Sequence, residues 1–466
     1  MRIIIGGGGP AGLLLAHALV RGADHDPGTG AAPPAPSQQQ PLRPAHTVLV
    51  LERDAGPGSR AQGFVIGLRQ QAVDALVQVG LTERVRELFN ETGPSGLAIC
   101  NEYGRALITA KNLMLVSLPP RPNERARDFR SSLLDRALLR DALADTLPEG
   151  VVRWGARAVE VVDGADEVRV RLEDGTEVAG DVFVACDGAN SVVRRQHFPE
   201  LAMEELGVWM VAGVRPLSAD GREEAELRRT TPIYSTAASA LTRVQGRDGA
   251  SLLLFAPGRL KFANAPTVLW AMSMPVADWN AELRDSRGVA TSRAREMICE
   301  FARAKFSMAG LADMLAPTPD EDMVSGYMMR SVEEAAVREG VLLTGAGEPG
   351  ARRANSRVTI AGDACHATTS QAGLGVTAAF ADALDLADRL RGVRDFTPRV
   401  LREYERAAAA RNALVVRMSA GNTKRLHVPV SGLKRVATHA AMWFVGWIVD
   451  AFARVFWGAR WMGWVR

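Results

Sequence analysis

The run Arg2-Ile3-Ile4-Ile5-Gly6-Gly7-Gly8-Gly9-Pro10-Ala11-Gly12-Leu13-Leu14-Leu15-Ala16-His17-Ala18-Leu19 decides the fold. Three consecutive isoleucines predict a short buried strand, the glycines a tight turn, and the apolar stretch from Pro10 a helix with proline in its first turn. Gly7, Gly9 and Gly12 satisfy the GxGxxG spacing. Gly7 makes the tight turn, Gly9 lets the backbone approach a pyrophosphate, and Gly12 lets helix and strand pack closely. The helix N-terminus then faces the phosphate charge.

The next apolar element, Thr47-Val48-Leu49-Val50-Leu51, ends in Glu52, where a carboxylate can grip ribose hydroxyls. Gly12 and Glu52 lie 40 positions apart, against about 20 in the usual fingerprint. Residues 21–46, rich in proline, glycine and glutamine, read as a solvated loop insertion that closes most of that gap. The set predicts a bound ADP moiety, the alternative being a structural strand-turn-helix. Two further segments repeat the pattern of an apolar strand ending in a glycine-and-acid turn. One is 181–194, with Asp187-Gly188; the other is 358–366, with Gly362-Asp363. The second continues through Gln371-Ala372-Gly373-Leu374-Gly375 into a helical stretch, so a glycine-rich helix start lies just beyond Asp363. Strands of this kind deliver carboxylates to the carboxyl edge of a parallel sheet, where open α/β folds bind ligands.

This ordered set resembles the single-component (class A) FAD-dependent monooxygenases, with p-hydroxybenzoate hydroxylase as prototype. The resemblance covers about residues 1–415. It implies an α/β fold in which a Rossmann-like FAD domain of the glutathione reductase type carries an inserted antiparallel substrate sheet and a C-terminal helical tail. The corresponding divisions are 1–202 for the first part of the FAD domain, 203–340 mainly for the substrate domain, 341–420 for the second FAD part, and 421–466 for the tail. By the same resemblance Gly7, Gly9, Gly12 and Glu52 hold the adenosine half of FAD, and Gly362 and Asp363 the ribityl chain near the pyrophosphate. Asp187 and Gly188 serve FAD and transient NADPH docking, and Arg130 contacts FAD from the following helix. His366 is expected beside the flavin as a structural neighbour. The chain departs from the family pattern at Ser370 and Thr377, where proline and asparagine are usual.

The implied reaction consumes NADPH or NADH and O2, and transfers oxygen from a flavin hydroperoxide to an electron-rich carbon of the substrate. The helix start at Gly373 and Gly375 offers peptide N–H groups to the anionic edge of reduced flavin. No WxWxIP segment is present, which disfavours the halogenase branch of the fold. A base that deprotonates a phenolic substrate would help, but sequence alone singles out none, nor any buried arginine for an acidic one.

Alternating segments at 208–214, 231–235, 251–255 and 268–274 read as strands of the substrate sheet, and 278–315 as helical. Trp209, Tyr234, Phe255 and Trp270 are candidate pocket walls, with ordinary core as the alternative. The apolar region favours a lipophilic, aromatic or polycyclic substrate. Two alternatives stay open: a flavin reductase or dehydrogenase of an isoprenoid or similar lipid, and a non-enzymatic FAD-binding regulator.

Composition bounds the rest. The 466 residues are 47% hydrophobic and carry a net charge of +3, too weak a field for a nucleic-acid partner. Four dispersed cysteines suggest neither disulfides nor a zinc site, and a cytoplasmic setting is expected. Residues 424–466 hold seven Lys/Arg against one acid and five of the nine tryptophans. Such a segment can lie as an interfacial helix on a membrane or pack on protein. Its longest apolar run, Ala440 to Val449, is ten residues, half of what a span needs.

Overall fold

The computed structural model describes residues 1–21, 46–59, 65–89, 96–110, 116–119, 127–129, 133–238, 240–258, 266–275, 291–319, 323–338, 356–430, 432–434, 436–442 and 444. The expected insertion at 21–46, apart from its two end residues, the glycine-rich stretch at 345–350, Arg130 and most of the tryptophan-rich tail lie outside them.

Ile3, Ile4 and Ile5 form the centre of a five-stranded parallel sheet in the order Val358–Ile360, Val182–Ala185, Arg2–Gly6, Thr47–Leu51, Val152–Arg153. A strand buried on both faces has no polar side to alternate with, which is why this run reads as uninterrupted isoleucine. On one face the Pro10–Val20, Gly375–Leu390 and Pro398–Leu426 helices bury Leu13, Leu14, Phe380, Leu386 and Leu401. The other face packs on an antiparallel three-stranded sheet, Ala158–Asp163, Val168–Leu172 and Glu177–Gly180.

The second layer is a seven-stranded sheet in the order Met323–Val332, Met203–Pro216, Thr267–Pro275, Ser251–Gly258, Ala240–Gln245, Gly96–Cys100, Ala106–Ala110. Only the pairing of Ala240–Gln245 with Gly96–Cys100 is parallel. Two strands of this sheet therefore come from within residues 1–202, and the Pro398–Leu426 helix runs unbroken through position 420. One sheet face buries Val211, Leu252, Leu254, Trp270 and Met272 against the Thr291–Lys305, Leu311–Leu315 and Pro232–Ala237 helices. The opposite face carries Val214, Phe255, Leu269 and Leu241, which meet Val65 and Leu133 of the first domain.

Residues 231–235, expected as a strand, are helical from Pro232, which starts the Pro232–Ala237 helix with Thr231 as its N-cap. Proline at the first helical position needs no N–H partner and has a helical φ in advance. The 278–315 region contains the Thr291–Lys305 and Leu311–Leu315 helices within its described part. Residues 432–434, 436–442 and 444 are helical. No helix among the described residues is long and apolar enough to cross a membrane.

Candidate functional site: three glycine-and-acid turns and a facing sheet

The three motifs meet at the carboxyl edge of the parallel sheet, because Gly6, Ala185 and Ile360 end neighbouring strands in register. Gly7 has φ +112°, and a Cβ there would lie 2.4 Å from the Cys186 carbonyl oxygen. At Gly12 a Cβ would lie 2.2 Å from the Gly7 carbonyl oxygen. Both positions are closed to any side chain by backbone. Gly9 differs: nothing lies within 4 Å of its would-be Cβ, and it is the N-cap of the Pro10–Val20 helix. That open space in front of unpaired first-turn N–H groups fits a dinucleotide pyrophosphate.

Glu52 is buried beneath this turn. Its Oε2 accepts from the Gly8 N–H at 2.6 Å and its Oε1 from the Asp54 N–H at 2.8 Å. Arg140, from the Arg136–Asp145 helix, is 2% exposed. Its Nε donates to the Gly8 carbonyl at 2.8 Å, and its guanidinium lies 3.1 Å from Asp54 Oδ2 and 3.6 Å from Glu52 Oε1, over the Trp154 ring. Two carboxylates and one arginine thus fix the glycine turn from below. Sequence reading missed Arg140, which looks like any helix arginine until its partners are known.

Asp187 Oδ2 accepts from the Val192 N–H at 2.8 Å. Gly188 follows it with open space around it. Arg194 ties this turn to the other: its Nη1 donates to the carbonyls of Ala364 at 2.9 Å and Asp363 at 3.3 Å, and its Nη2 to that of Ala189. Gly362 has φ +61°, wedged between Ala11 and Ala379 at 3.1 and 3.3 Å from a would-be Cβ. Asp363 begins the short Asp363–His366 helix, and its Oδ1 lies 3.8 Å from where a Gly375 Cβ would be. Gly373 closes the Ser370–Ala372 turn ahead of the Gly375–Leu390 helix. Arg69 reaches the Ala372 carbonyl at 3.3 Å.

Behind Gly362 sits a buried charge network. Asp382 Oδ2 accepts from the Gly362 N–H at 3.1 Å and pairs with His366 Nε2 at 2.6 Å. Its Oδ1 accepts from Arg411 at 2.8 Å and from Asn412 at 3.0 Å. Burial alone pulls the His366 imidazole down, but Asp382 outweighs it and the pKa ends above its ordinary value. For Asp382, burial is outweighed by His366 and Arg411, and the carboxyl ends lowered. His366 is therefore anchored to Asp382 behind the turn. Burial also raises the thiols of Cys186 and Cys365, so both are inert apolar residues.

Strand register defines what faces these turns. On the side of the large sheet that carries Val214, Leu269, Phe255 and Leu241, the next row inward is Ala212, Ala271, Leu253 and Arg243, then Met210, Ser273, Ser251 and Gln245. The first row is covered by Val65 and Leu133. The third meets His427, whose Nε2 lies 2.8 Å from Ser273 Oγ, and is extended by Tyr327 on the next strand, whose hydroxyl reaches Met210. In the middle row Ala271, Leu253 and Arg243 are partly exposed and Ala212 is buried. Of the four aromatic wall candidates only Phe255 is on this face. Trp209, Tyr234 and Trp270 belong to the helix-backed core, with Trp270 Nε1 donating to Thr318 at 2.9 Å. Arg243 lies on the same face as Ala212 and Ala271, opposite Leu253.

Comparison with known proteins agrees with this geometry. The family model described as FAD binding domain matches residues 1–307. Salicylate hydroxylase of Pseudomonas putida is 26% identical over 343 residues, covering 73% of this chain and 70% of that protein. Monooxygenase 1 of Arabidopsis thaliana is 29% identical over 153 residues, covering 31% of this chain and 33% of that protein. An FAD containing monooxygenase from Photorhabdus luminescens subsp. laumondii superposes with a TM-score of 0.68 at 19% identity, covering 91% of this chain and 98% of that one. With 307 of its 466 residues inside the family model, the chain belongs to the FAD binding domain family, as an FAD-dependent monooxygenase of the class A type.

Proposed function

We propose that the protein is an NAD(P)H-consuming monooxygenase that hydroxylates or epoxidises a planar, mainly apolar and aromatic molecule lying against one face of the large sheet. The support for this reading is the sheet face whose middle row, Ala212, Ala271, Leu253 and Arg243, runs between a row met by Val65 and Leu133 and a row that bonds His427. FAD, when bound, supplies the redox chemistry between NAD(P)H and O2. The chain binds, orients and excludes water.

In this reading the first-turn N–H groups beyond Gly9 take the pyrophosphate, with Gly7 and Gly12 making the backbone fit. Glu52, locked to Gly8 and braced by Arg140, stands at the adenosine ribose. Gly362 and Asp363 serve the ribityl end. Gly373 and Gly375, at the start of the Gly375–Leu390 helix, stabilise negative charge on the ring system. Asp187 and Gly188 contribute to FAD and to transient NAD(P)H docking, and Arg130 contacts FAD. A peripheral lipid contact through the tail is supported by Leu433, Val436 and Phe444, which are 88%, 66% and 56% exposed in a basic segment.

Substrate-stimulated NADPH oxidation with matching O2 uptake, and a product heavier by one oxygen atom, tests this reading. NADPH use that reduces the organic substrate without O2 uptake would replace it with a reductase.

A further inference from the structure

The Ser370–Ala372 turn leads through Gly373 into the helix start proposed for the flavin ring, and it is held by what precedes it. Ser370 has no ring to fix its φ, as a proline there would have. Ahead of it the Ala367 carbonyl accepts from the Val332 N–H at 3.0 Å and from Ser331 Oγ at 3.3 Å. Thr369 then meets two hydroxyls of the Pro398–Leu426 helix, all three residues being buried. Its Oγ1 lies 2.9 Å from Ser419 Oγ and 2.7 Å from Thr423 Oγ1. Each hydroxyl has one proton to give. That of Ser419 goes to the Thr369 carbonyl at 2.7 Å, and that of Thr423 to the Ser419 carbonyl one turn back at 3.0 Å. Thr369 is therefore the donor to Thr423, so the helix grips this loop at a carbonyl and at a hydroxyl.

The end of the same helix is fixed on the other domain. His427 Nδ1 lies 2.7 Å from the Thr423 carbonyl, which only accepts, so Nδ1 carries the proton. On the neutral ring Nε2 then accepts from Ser273 Oγ at 2.8 Å. The His427 carbonyl closes on Gly249, where φ is +78° and a Cβ would lie 2.3 Å away. Lys424 pairs with Glu204 at 3.4 Å. Ser419 to His427 spans about 12 Å of helix, and within it one segment holds both the loop before Gly373 and the large sheet.

We infer that Ser419 and Thr423 are positioning residues for the 370–373 turn, holding it through Thr369, with the docked His427 as their fixed point on the large sheet. The inference rests on the placement of Gly373 and Gly375 at the flavin ring proposed above, and adds the residues that keep them there. None of the three is a catalytic residue. A helix start favours the extra negative charge of reduced flavin only while its N–H groups point at that charge. A loosened turn therefore makes bound FAD harder to reduce.

The test compares the wild type with Thr423→Val, Thr423→Ser and Ser419→Ala in two measurements that need neither NADPH, O2 nor substrate. Hydrogen exchange of the apoprotein reads the grip. The Val332 and Gly373 amides, which donate to the Ala367 and Ser370 carbonyls, are expected to exchange about tenfold faster in Thr423→Val and in Ser419→Ala. Titration of the FAD-loaded protein against a redox dye reads the consequence. At a fixed solution potential the reduced-to-oxidised FAD ratio is expected to fall about tenfold in the same two variants, about 30 mV for two electrons. Thr423→Ser keeps the hydroxyl and should match the wild type in both, while His427→Phe should shift both in the direction of Thr423→Val. A wild-type ratio in whichever of Thr423→Val and Ser419→Ala folds, or a Thr423→Ser protein that behaves as Thr423→Val, overturns the positioning role. A His427→Phe protein equal to the wild type overturns its part as fixed point. Faster exchange with an unmoved ratio overturns the link to the flavin, and with it the placement of Gly373 and Gly375. Both shifts in a protein that transfers no oxygen uphold the inference and refute the monooxygenase reading alone.

Discussion

Arg140 Nε donates to the Gly8 carbonyl across 132 positions of sequence, at 2.8 Å, in an environment with no access to water. The same guanidinium faces Asp54 and Glu52, and Glu52 returns to the Gly8 N–H. Both polar groups of Gly8 are therefore held by a closed circuit of charge beneath the turn proposed to meet a pyrophosphate.

Arg140→Met should break that circuit. It leaves two buried carboxylates without their cation, a loss of about 3–5 kcal/mol. Thermal unfolding should fall and FAD affinity with it. Arg140→Lys keeps the charge but cannot reproduce the fork of donors, so it should recover stability more than FAD affinity. Equal behaviour of the two variants in both measurements would count against the circuit.

Gly7 and Gly9 should separate folding from binding. Gly7→Ala places a methyl 2.4 Å from a backbone oxygen at positive φ, so the apoprotein itself is destabilised. Gly9→Val meets open space and should fold normally, yet lose FAD affinity at least about tenfold by occupying the phosphate position. Asp363→Ala belongs with Gly9→Val: folded, with FAD lost on gel filtration.

Stability should respond to pH through His366 and Asp382. His366 is raised above its ordinary value of 6.5, so its contribution is complete below that value and is lost as pH rises through the folded pKa. Asp382 is lowered from 3.8, so its contribution is present above that value and is lost as pH falls through the folded pKa. His366→Asn should therefore cost most in melting temperature between about pH 5 and 6.5, and less at higher pH. A cost that grows as pH rises above neutrality would contradict the pairing.

Removal of residues 432–466 should leave FAD bound and abolish sedimentation with anionic lipid vesicles. The cut must fall after His427, because that residue docks on Ser273. Loss of flavin from the truncated protein would make the tail a packing element instead.

The glycine motifs were legible because each imposes a local backbone requirement, and three strand ends in one parallel sheet bring Gly7, Asp187 and Asp363 together whatever lies between. Side-chain direction in the large sheet was not legible. Trp209 and Trp270 face the helices, and only strand register and partner elements determine that. Arg243 and Ser273 were hidden for the same reason, and His427 because its meaning comes from a contact 154 positions away. At Tyr234 the alternating pattern suggested a strand, but Pro232 starts a helix.

The central claim is tested most directly by supplying isotopically labelled O2 to the FAD-loaded protein with NADPH and an aromatic substrate that stimulates NADPH oxidation. The account predicts anaerobic bleaching of the flavin by NADPH, its return in air, and one labelled oxygen atom in the product. NADPH consumption by the flavin-saturated protein with an organic product free of label would contradict it.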